Sequence, residues 1–366
     1  MESFMTNRHQ YVIIDTFTSD IKKSPPGSVI QGSKLSALLY TIYTNEIPNL
    51  YKLMSTDLFY KITGSIYVAN DKIDHTTINY VDDSTNIITS QCHKILKEYT
   101  DNFYKLLQSY YNINYLKINS DKTKFMIICK PGLRENIKNM TIQCEQYIIT
   151  QSVKIKILGI YITNALDNTA NVNQIIQKVN FRINVLSKII KYANTKTKKI
   201  LYDSIIISVF TYCLENLINI NCKQINTLNV LLNKCAHNIL GYHSYKMSTF
   251  KILKELNWLS MSQLMIYQSI KLIHRVSYEN EPPALTQYLH HDMVRSDLAR
   301  QVRKPSMTKP YKSSKMKNTF FYRSIFIYNN IPDNVRLLPK KKFNNIIKKY
   351  VFENYNLYQI PKIPDA

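Results

Sequence analysis

Residues 76–80 and 84–89 are two β-branched runs separated only by Val81-Asp82-Asp83. A chain that passes from one such run to the next across so short a gap has to turn back on itself, so this stretch reads as a tight hairpin. The hairpin fixes antiparallel pairing on both sides and sets two adjacent carboxylates at its tip. Neighbouring carboxylates repel unless solvent or a cation compensates them. Mg²⁺ suits such a tip because it takes a few carboxylate oxygens and fills the rest of its shell with water and substrate phosphates. An Asp-Asp pair also serves ordinary turn chemistry. By itself the dipeptide does not decide between the two.

The remaining chain shows one change of character. Residues 11–15 read as a short strand, followed by a turn at Pro25-Pro26-Gly27. Ser33 can cap a helix that carries Leu35, Leu38, Leu39 and Ile42 on one face and stops near Pro48. Helical spacing runs from 94 to 111 through Ile95, Leu96, Tyr99, Phe103, Leu106, Leu107 and Tyr110. Residues 124–129 and 153–163 return to strand character. From Val172 onward the pattern is mostly helical, with a break at Pro282-Pro283 and then a basic stretch with Pro at 305, 310, 332 and 339. The outline is α+β, then all-α, then a basic region.

Charge follows the same division. Lys and Arg number 48 against 25 Asp and Glu, a formal +23. Residues 1–150 hold 16 basic and 14 acidic side chains, or +2; residues 151–366 hold 32 and 11, or +21; and 300–366 alone hold 15 and three, or +12. An AT-rich coding bias, visible in Gly 6, Trp 1 and Tyr 28, raises Lys everywhere but does not deplete acids from one half. The asymmetry points to a polyanion-binding surface, nucleic acid first. No run of about 18 uncharged apolar residues marks a membrane span, and the start MESFMTNRHQ is no secretory signal. A membrane is therefore not expected as a partner. Cys213, Cys222, Cys235 and His237 could be drawn as a zinc set, but their spacing matches no usual finger. The six cysteines read as buried free thiols of an intracellular, reducing compartment, nuclear or cytoplasmic.

Several motifs stand in a telling order. Val29-Ile30-Gln31-Gly32-Ser33 leads into Lys34-Leu-Ser-Ala-Leu-Leu-Tyr-Thr-Ile-Tyr-Thr-Asn-Glu-Ile-Pro48. Tyr80-Val81-Asp82-Asp83 follows, then Leu116-Lys-Ile-Asn-Ser-Asp-Lys-Thr-Lys124, then Ile157-Leu-Gly-Ile-Tyr161. This order resembles the palm of the reverse transcriptases of non-LTR (LINE-type) retrotransposons. Beyond it, Tyr202–Tyr212 resembles the thumb helix of that family, Leu253–Leu259 its later helical region, and Phe321–Pro332 a segment near its end. The resemblance runs from about residue 8 to about residue 355.

The resemblance implies a partial polymerase palm over 1–165, a helical thumb over 166–280 and a basic C-terminal region over 281–366. It implies RNA-directed DNA polymerase (nucleotidyltransferase) ancestry in a transposable element, with an RNA template, a DNA primer or their hybrid as partner and Mg²⁺ as cofactor. Asp82 takes the role of the metal-holding carboxylate with Asp83 beside it, and Lys122 that of a group facing departing pyrophosphate. Gln31, Gly32, Ser33, Tyr80 and Gly159 take template-, nucleotide- or primer-facing roles; Gly32 allows close backbone approach to a base pair, and Gly159 marks the bend of a primer-facing hairpin. Plainer roles stand beside these: a helix-start hydrogen bond for Gln31, a solvated surface side chain for Lys122, a sheet aromatic for Tyr80.

The sequence departs from the family at its beginning. Two-metal nucleotidyl transfer needs a further Asp on a neighbouring strand, which the family carries in a Phe-Asp motif well before the Gln-Gly-Ser loop. Here only Glu2, Asp15 and Asp20 precede Gln31. Asn7-Arg-His-Gln-Tyr-Val12 matches the strand that follows the missing motif. The expectation is an N-terminally truncated, catalytically impaired derivative, with Asp15 as the alternative metal ligand or a separate polypeptide supplying the strand. The other function class is a non-catalytic nucleic-acid-binding protein. It would use the basic thumb and a tail in which Lys309, Lys312, Lys315 and Lys317 interleave with Tyr311, Phe320 and Phe321.

Overall fold

The computed structural model describes residues 8–24, 33–53, 73–133, 137, 140–144, 147–217, 220–241, 245–287, 289–295, 301–307, 319–357 and 359–361. Gln31, Gly32, Lys309, Tyr311, Lys312, Lys315 and Lys317 lie outside them. The chain divides into two compact units, Met1–Val153 and Lys154–Ala366.

The first unit opens with β1 (His9–Gln10), β2 (Ile13–Ile14), β3 (Phe17–Thr18) and β4 (Lys22–Lys23), in which β2 pairs with β3 and β1 with β4, all antiparallel. The helix α1 (Lys34–Tyr43) starts where expected: the Ser33 hydroxyl accepts the Leu35 N–H at 3.3 Å, meeting one of the orphan donors of the first turn. A 3₁₀ turn at Ile47–Leu53 follows, then β5 (Asp74–Tyr80), β6 (Asp83–Thr89) and α2 (His93–Ile113). Tyr99, Phe103 and Leu107 recur every fourth residue on α2 and bury against Ile47 and Leu50. β7 (Thr141–Cys144) and β8 (Tyr147–Thr150) form a further ribbon whose Ile142 and Ile149 pack with Tyr104 and Phe125. The Asp101 carboxylate ties this ribbon to α2, accepting the Gln143 N–H at 3.3 Å while pairing with Lys97 at 2.6 Å.

The mixture of helices and small antiparallel sheets agrees with an α+β class. Two details differ from the sequence reading. Each sheet among the described residues has two strands, so the antiparallel pairing is a set of ribbons and no larger sheet is joined. Residues 124–129 supply only a parallel bridge from Phe125 to Gln151. Their extended preference is met, but no neighbouring edge lies in register beyond that residue.

The second unit begins with β9 (Lys154–Ile157) and β10 (Ile160–Thr163), paired antiparallel. Their two turn residues, Leu158 and Gly159, both have positive φ (46° and 86°), the mirror-image turn that matches strand twist. The helices α3 (Thr169–Ile189) and α4 (Thr195–Tyr202) follow, and α4 continues through a π turn at Asp203–Ile207 into α5 (Ser208–Thr211). After a 3₁₀ turn at Leu214–Leu217 come α6 (Cys222–Leu240), α7 (Thr249–Glu255) and α8 (Met261–Glu279). Then α9 (Pro283–Thr286) precedes the ribbon of β11 (Leu289–Arg295) and β12 (Gln301–Met307), and α10 (Phe320–Asn329), α11 (Asp333–Arg336) and α12 (Lys340–Asn354) complete the unit.

Helix α8 is the centre of this unit. Met261, Met265, Ile266, Ile270, Ile273 and Val276 are fully buried, and so are Ser262, Gln263, Ser269 and Ser277 on its other sides. Polar groups buried on such a helix call for partners inside the protein. Gln263 finds them at the helix start: with Ser260 it forms a reciprocal cap, and its amide also donates to the Phe352 and Tyr355 carbonyls. Residues 319–360 belong to the same core. Phe343, Ile347 and Val351 on α12 bury at every fourth position, which leaves the α12 lysines on the other faces.

Candidate active site

The β5–β6 hairpin pairs Tyr80 with Asp83 and turns through Val81 and Asp82. Alternation along β5 sends His75, Thr77 and Asn79 inward and Asp74, Thr76, Ile78 and Tyr80 outward. Tyr80 and Asp83, directly opposite, therefore share the outer face. Asp82 and Asp83 are both exposed at the tip, and among the described residues neither takes part in an ion pair.

The inner face holds the base of the hairpin. His75 sits edge-on to Phe103 with ring centres 4.3 Å apart and against Tyr51 at 5.1 Å. Its Nδ1 meets the Tyr99 hydroxyl at 3.1 Å and its Nε2 the Asn86 amide oxygen at 3.2 Å. Thr77 donates to the same Asn86 oxygen across the ribbon at 2.7 Å. Burial pushes the His75 imidazolium down, against the Asn86 hydrogen bond that favours it. An imidazole clamped by two rings and two polar partners pins the hairpin to α2.

Val81 has φ 54°. A β-branched side chain in the left-handed region is a strained arrangement, and strain of this kind concentrates where the backbone must present side chains in a set direction. Here it aims the Asp82–Asp83 pair. Helix α1 supplies the neighbour: burial raises the Tyr40 phenol and the Asp82 carboxylate raises it further, so Tyr40 stands within electrostatic reach of the tip. Tyr43 on the same helix donates to the Asn114 carbonyl at 2.6 Å, which fixes α1 against the end of α2.

Tyr80, Asp82 and Asp83 share one hairpin, while Ser33 caps the start of α1. Lys122 is exposed on a turn closed by Asn119, whose side-chain oxygen accepts the Lys122 N–H at 3.1 Å. Gly159 belongs to the second unit. Gln31 and Gly32 lie outside the described residues. Asp15, considered as a substitute ligand, occupies the β2–β3 turn at φ 53°, and among the described residues no group of three His, Cys, Asp or Glu is placed to hold an ion. Cys213, Cys222, Cys235 and His237 accordingly form no such group. Among the described cysteines the expected burial holds for Cys235, its thiol pushed up to about 12 by burial, while Cys92, Cys129 and Cys213 are half-buried and Cys222 is exposed. The donor set on the tip is two hard carboxylate groups, which fits one hydrated divalent ion that also carries phosphates and falls short of a two-ion cage.

Tyr40 and His75 were not found from the sequence. His75 has a signal, since it falls on the inward side of the alternating run, but its ring partners come from residues 51, 99 and 103. Tyr40 has none, as only the fold carries α1 to the tip.

Residues 8–162 match the model of the family reverse transcriptase (RNA-dependent DNA polymerase), a span that covers less than half of the chain. Searches of curated proteins and of solved structures gave no match. That family acts on nucleic acid and generally uses divalent metal ions, and among the described residues no helix is long and apolar enough to cross a membrane. The matched span contains the whole Tyr80–Asp83 hairpin, the helix that faces it and the Lys122 turn, and residues 8–162 are a reverse-transcriptase-like segment of the RNA-directed DNA polymerase family.

Proposed function

We propose that the chain is a nucleic-acid-binding reverse-transcriptase-like protein of the non-LTR (LINE) type, built as a palm (1–165), a thumb (166–280) and a basic C-terminal region (281–366). In this reading Asp82 and Asp83 hold Mg²⁺, which supplies charge neutralisation at phosphate oxygens when bound. Tyr80 lies beside them to support a primer end, and Lys122 and Gly159 face substrate. The observation that carries the reading is the strained turn that presents two adjacent carboxylates inside the family-matched span.

Among the described residues the tip offers two carboxylate groups, short of a two-ion arrangement, and in this reading the chain alone binds template–primer and does not extend it. A further carboxylate reaches the site on another polypeptide. The outer face of the hairpin is suited to such a partner: Ile78 is 54% exposed, Tyr80 61% and Ile87 49%, an apolar surface next to the acids. A non-catalytic binding role for the second unit is favoured by its charge, since residues 151–366 carry 32 basic and 11 acidic side chains.

The test is binding of an RNA–DNA hybrid by the full chain at two salt concentrations. The affinity is expected to fall by orders of magnitude, about 10³-fold, between roughly 50 and 200 mM salt. Replacing Lys341 and Lys342 with Gln reduces the salt dependence. Absent binding, or affinity that ignores salt, contradicts the reading.

A further inference from the structure

Between Asp167 and Asp203 the chain carries seven basic side chains and no acidic one. Helix α3 occupies most of that stretch. Its inner side is settled: Val172, Ile175, Val179, Ile183 and Leu186 are buried in the core of the second unit. On its outer side Phe181, Val185 and Ile189 follow one another at intervals of four, and they are 69%, 42% and 71% exposed. The buried stripe already anchors α3, so the fold does not call for a second one. Lys178 lies one turn before Phe181 and Lys188 one turn after Val185, both exposed on the same side. Among the described residues neither lysine takes part in an ion pair. Just past the helix end, Tyr192 is almost fully exposed with the Lys191 ammonium 5.6 Å from its ring centre.

The outer side of α3 is thus an apolar strip about 12 Å long with a cationic rim, the build of a recognition surface. Its centre selects the class of partner. Phosphates are met by cations and polar groups, and bases stack on aromatic rings; Val185 and Ile189 offer neither. Aliphatic side chains gain by covering other apolar side chains. Their spacing along one helix matches the ridges of a second helix laid against it. The rim selects charge. Lys178 and Lys188, with Lys191 close by in sequence, favour carboxylates flanking the partner's apolar stripe. A second copy of the chain docked through the same face would set these cations against each other, and its α3 brings no acid to relieve them.

We propose that the outer face of α3 docks an acidic amphipathic helix of another protein. Phe181, Val185 and Ile189 pack into the apolar stripe of that helix, and Lys178 and Lys188 pair with the Glu or Asp residues on its flanks. The face lies outside the family-matched span and shares no residue with the Asp82–Asp83 hairpin. The docking therefore goes beyond the polymerase reading and does not depend on it.

Fluorescence anisotropy with the full chain tests it. The probe is a labelled synthetic peptide of about 16 residues, long enough to form a helix, with Leu along one face and Glu on its flanks. Two further peptides accompany it, one with every Glu exchanged for Lys and one with the acidic composition in scrambled order. The acidic amphipathic peptide should bind and the other two should not. Phe181→Ala with Ile189→Ala, which keeps helix propensity, should weaken that binding about tenfold or more. Lys178→Gln with Lys188→Gln should weaken it about threefold and reduce its salt dependence. This charge pair carries the result should the alanine pair disturb the fold. Val230→Ala with Ile346→Ala, exposed apolar positions on α6 and α12, should change it little. Absent binding, equal binding of the scrambled or basic peptide, or an equal loss in the Val230/Ile346 control overturns the proposal. So does a tenfold loss of RNA–DNA hybrid affinity in the Phe181/Ile189 variant, which would make the face a nucleic-acid surface. Self-association of the chain that this variant abolishes, seen by sedimentation, would assign the face to a second copy and overturn it too.

Discussion

Val81 is the residue on which the tip turns. Its left-handed backbone costs about 1–2 kcal/mol for a side chain with a Cβ, whereas glycine there loses only its extra chain entropy, about 0.5–1 kcal/mol. Val81→Gly is therefore expected to stabilise the first unit by up to about 1 kcal/mol in urea denaturation while loosening the direction of the two acids. A loss of stability would show that Val81 makes packing contacts that outweigh its strain; it is 38% exposed. Asp82→Asn and Asp83→Asn should each weaken Mg²⁺ binding by about tenfold, read by calorimetry, since a hard cation loses a charged oxygen ligand. The residue scale was partly legible in the sequence. Ser33 as a helix cap and Tyr80 to Asp83 as a hairpin follow from local chemistry alone. Tyr40 beside Asp82, and His75 between Tyr51 and Phe103, depend on packing between elements, for which a single chain carries no local code.

Elements show the same division. The spacing of Tyr99, Phe103 and Leu107 and of Val172, Ile175, Val179 and Ile183 marked α2 and α3, because a buried stripe repeats with the helix turn. The strand reading of 124–129 went further than the pairing does, because β-branched content measures suitability for a strand and not the presence of an edge. Helix α12 was hidden by its lysines; its stripe of Phe343, Ile347 and Val351 is one residue wide. As a consequence, removal of the basic residues after 300 also removes core from the second unit, and charge substitutions are the sound probes of that region. Between elements, Asn171 is the clamp to test. Asn171→Ala strips two backbone partners from Tyr161 in a half-buried setting, at a cost of about 2 kcal/mol in stability, measured by thermal unfolding. A neutral result would remove the case that β10 is held to α3 by this side chain.

At the scale of the molecule the two units differ in how much they bury. The first has a small cluster of Ile47, Leu50, Tyr99, Phe103 and Leu107, and the second a single cluster that runs from Val172 to Ile360. Trp258 is the one tryptophan and lies in the second unit, its indole N–H bonded to Asp203 at 2.7 Å, so its fluorescence follows that unit alone. Stability there should also depend on His274. It is stacked 3.7 Å from Phe343, with Nδ1 at 3.1 Å from the Tyr328 hydroxyl, and burial lowers its pKa from 6.5 to about 4, against Glu279, which favours the charged form. The unfolded chain then binds the proton that the folded one refuses, so the contribution is complete above pH 6.5 and is lost as pH falls toward 4. The loss is about 3 kcal/mol across that window. Trp258-monitored unfolding should show that slope, and His274→Phe should flatten it. Incorporation on an RNA template is the most direct measurement of the whole account. The purified full chain, given an annealed DNA primer, deoxynucleotides and Mg²⁺, is expected to bind the hybrid and add no nucleotide. Robust Mg²⁺-dependent extension that disappears in Asp82→Ala would contradict it, and would mean that this chain completes the metal site by itself.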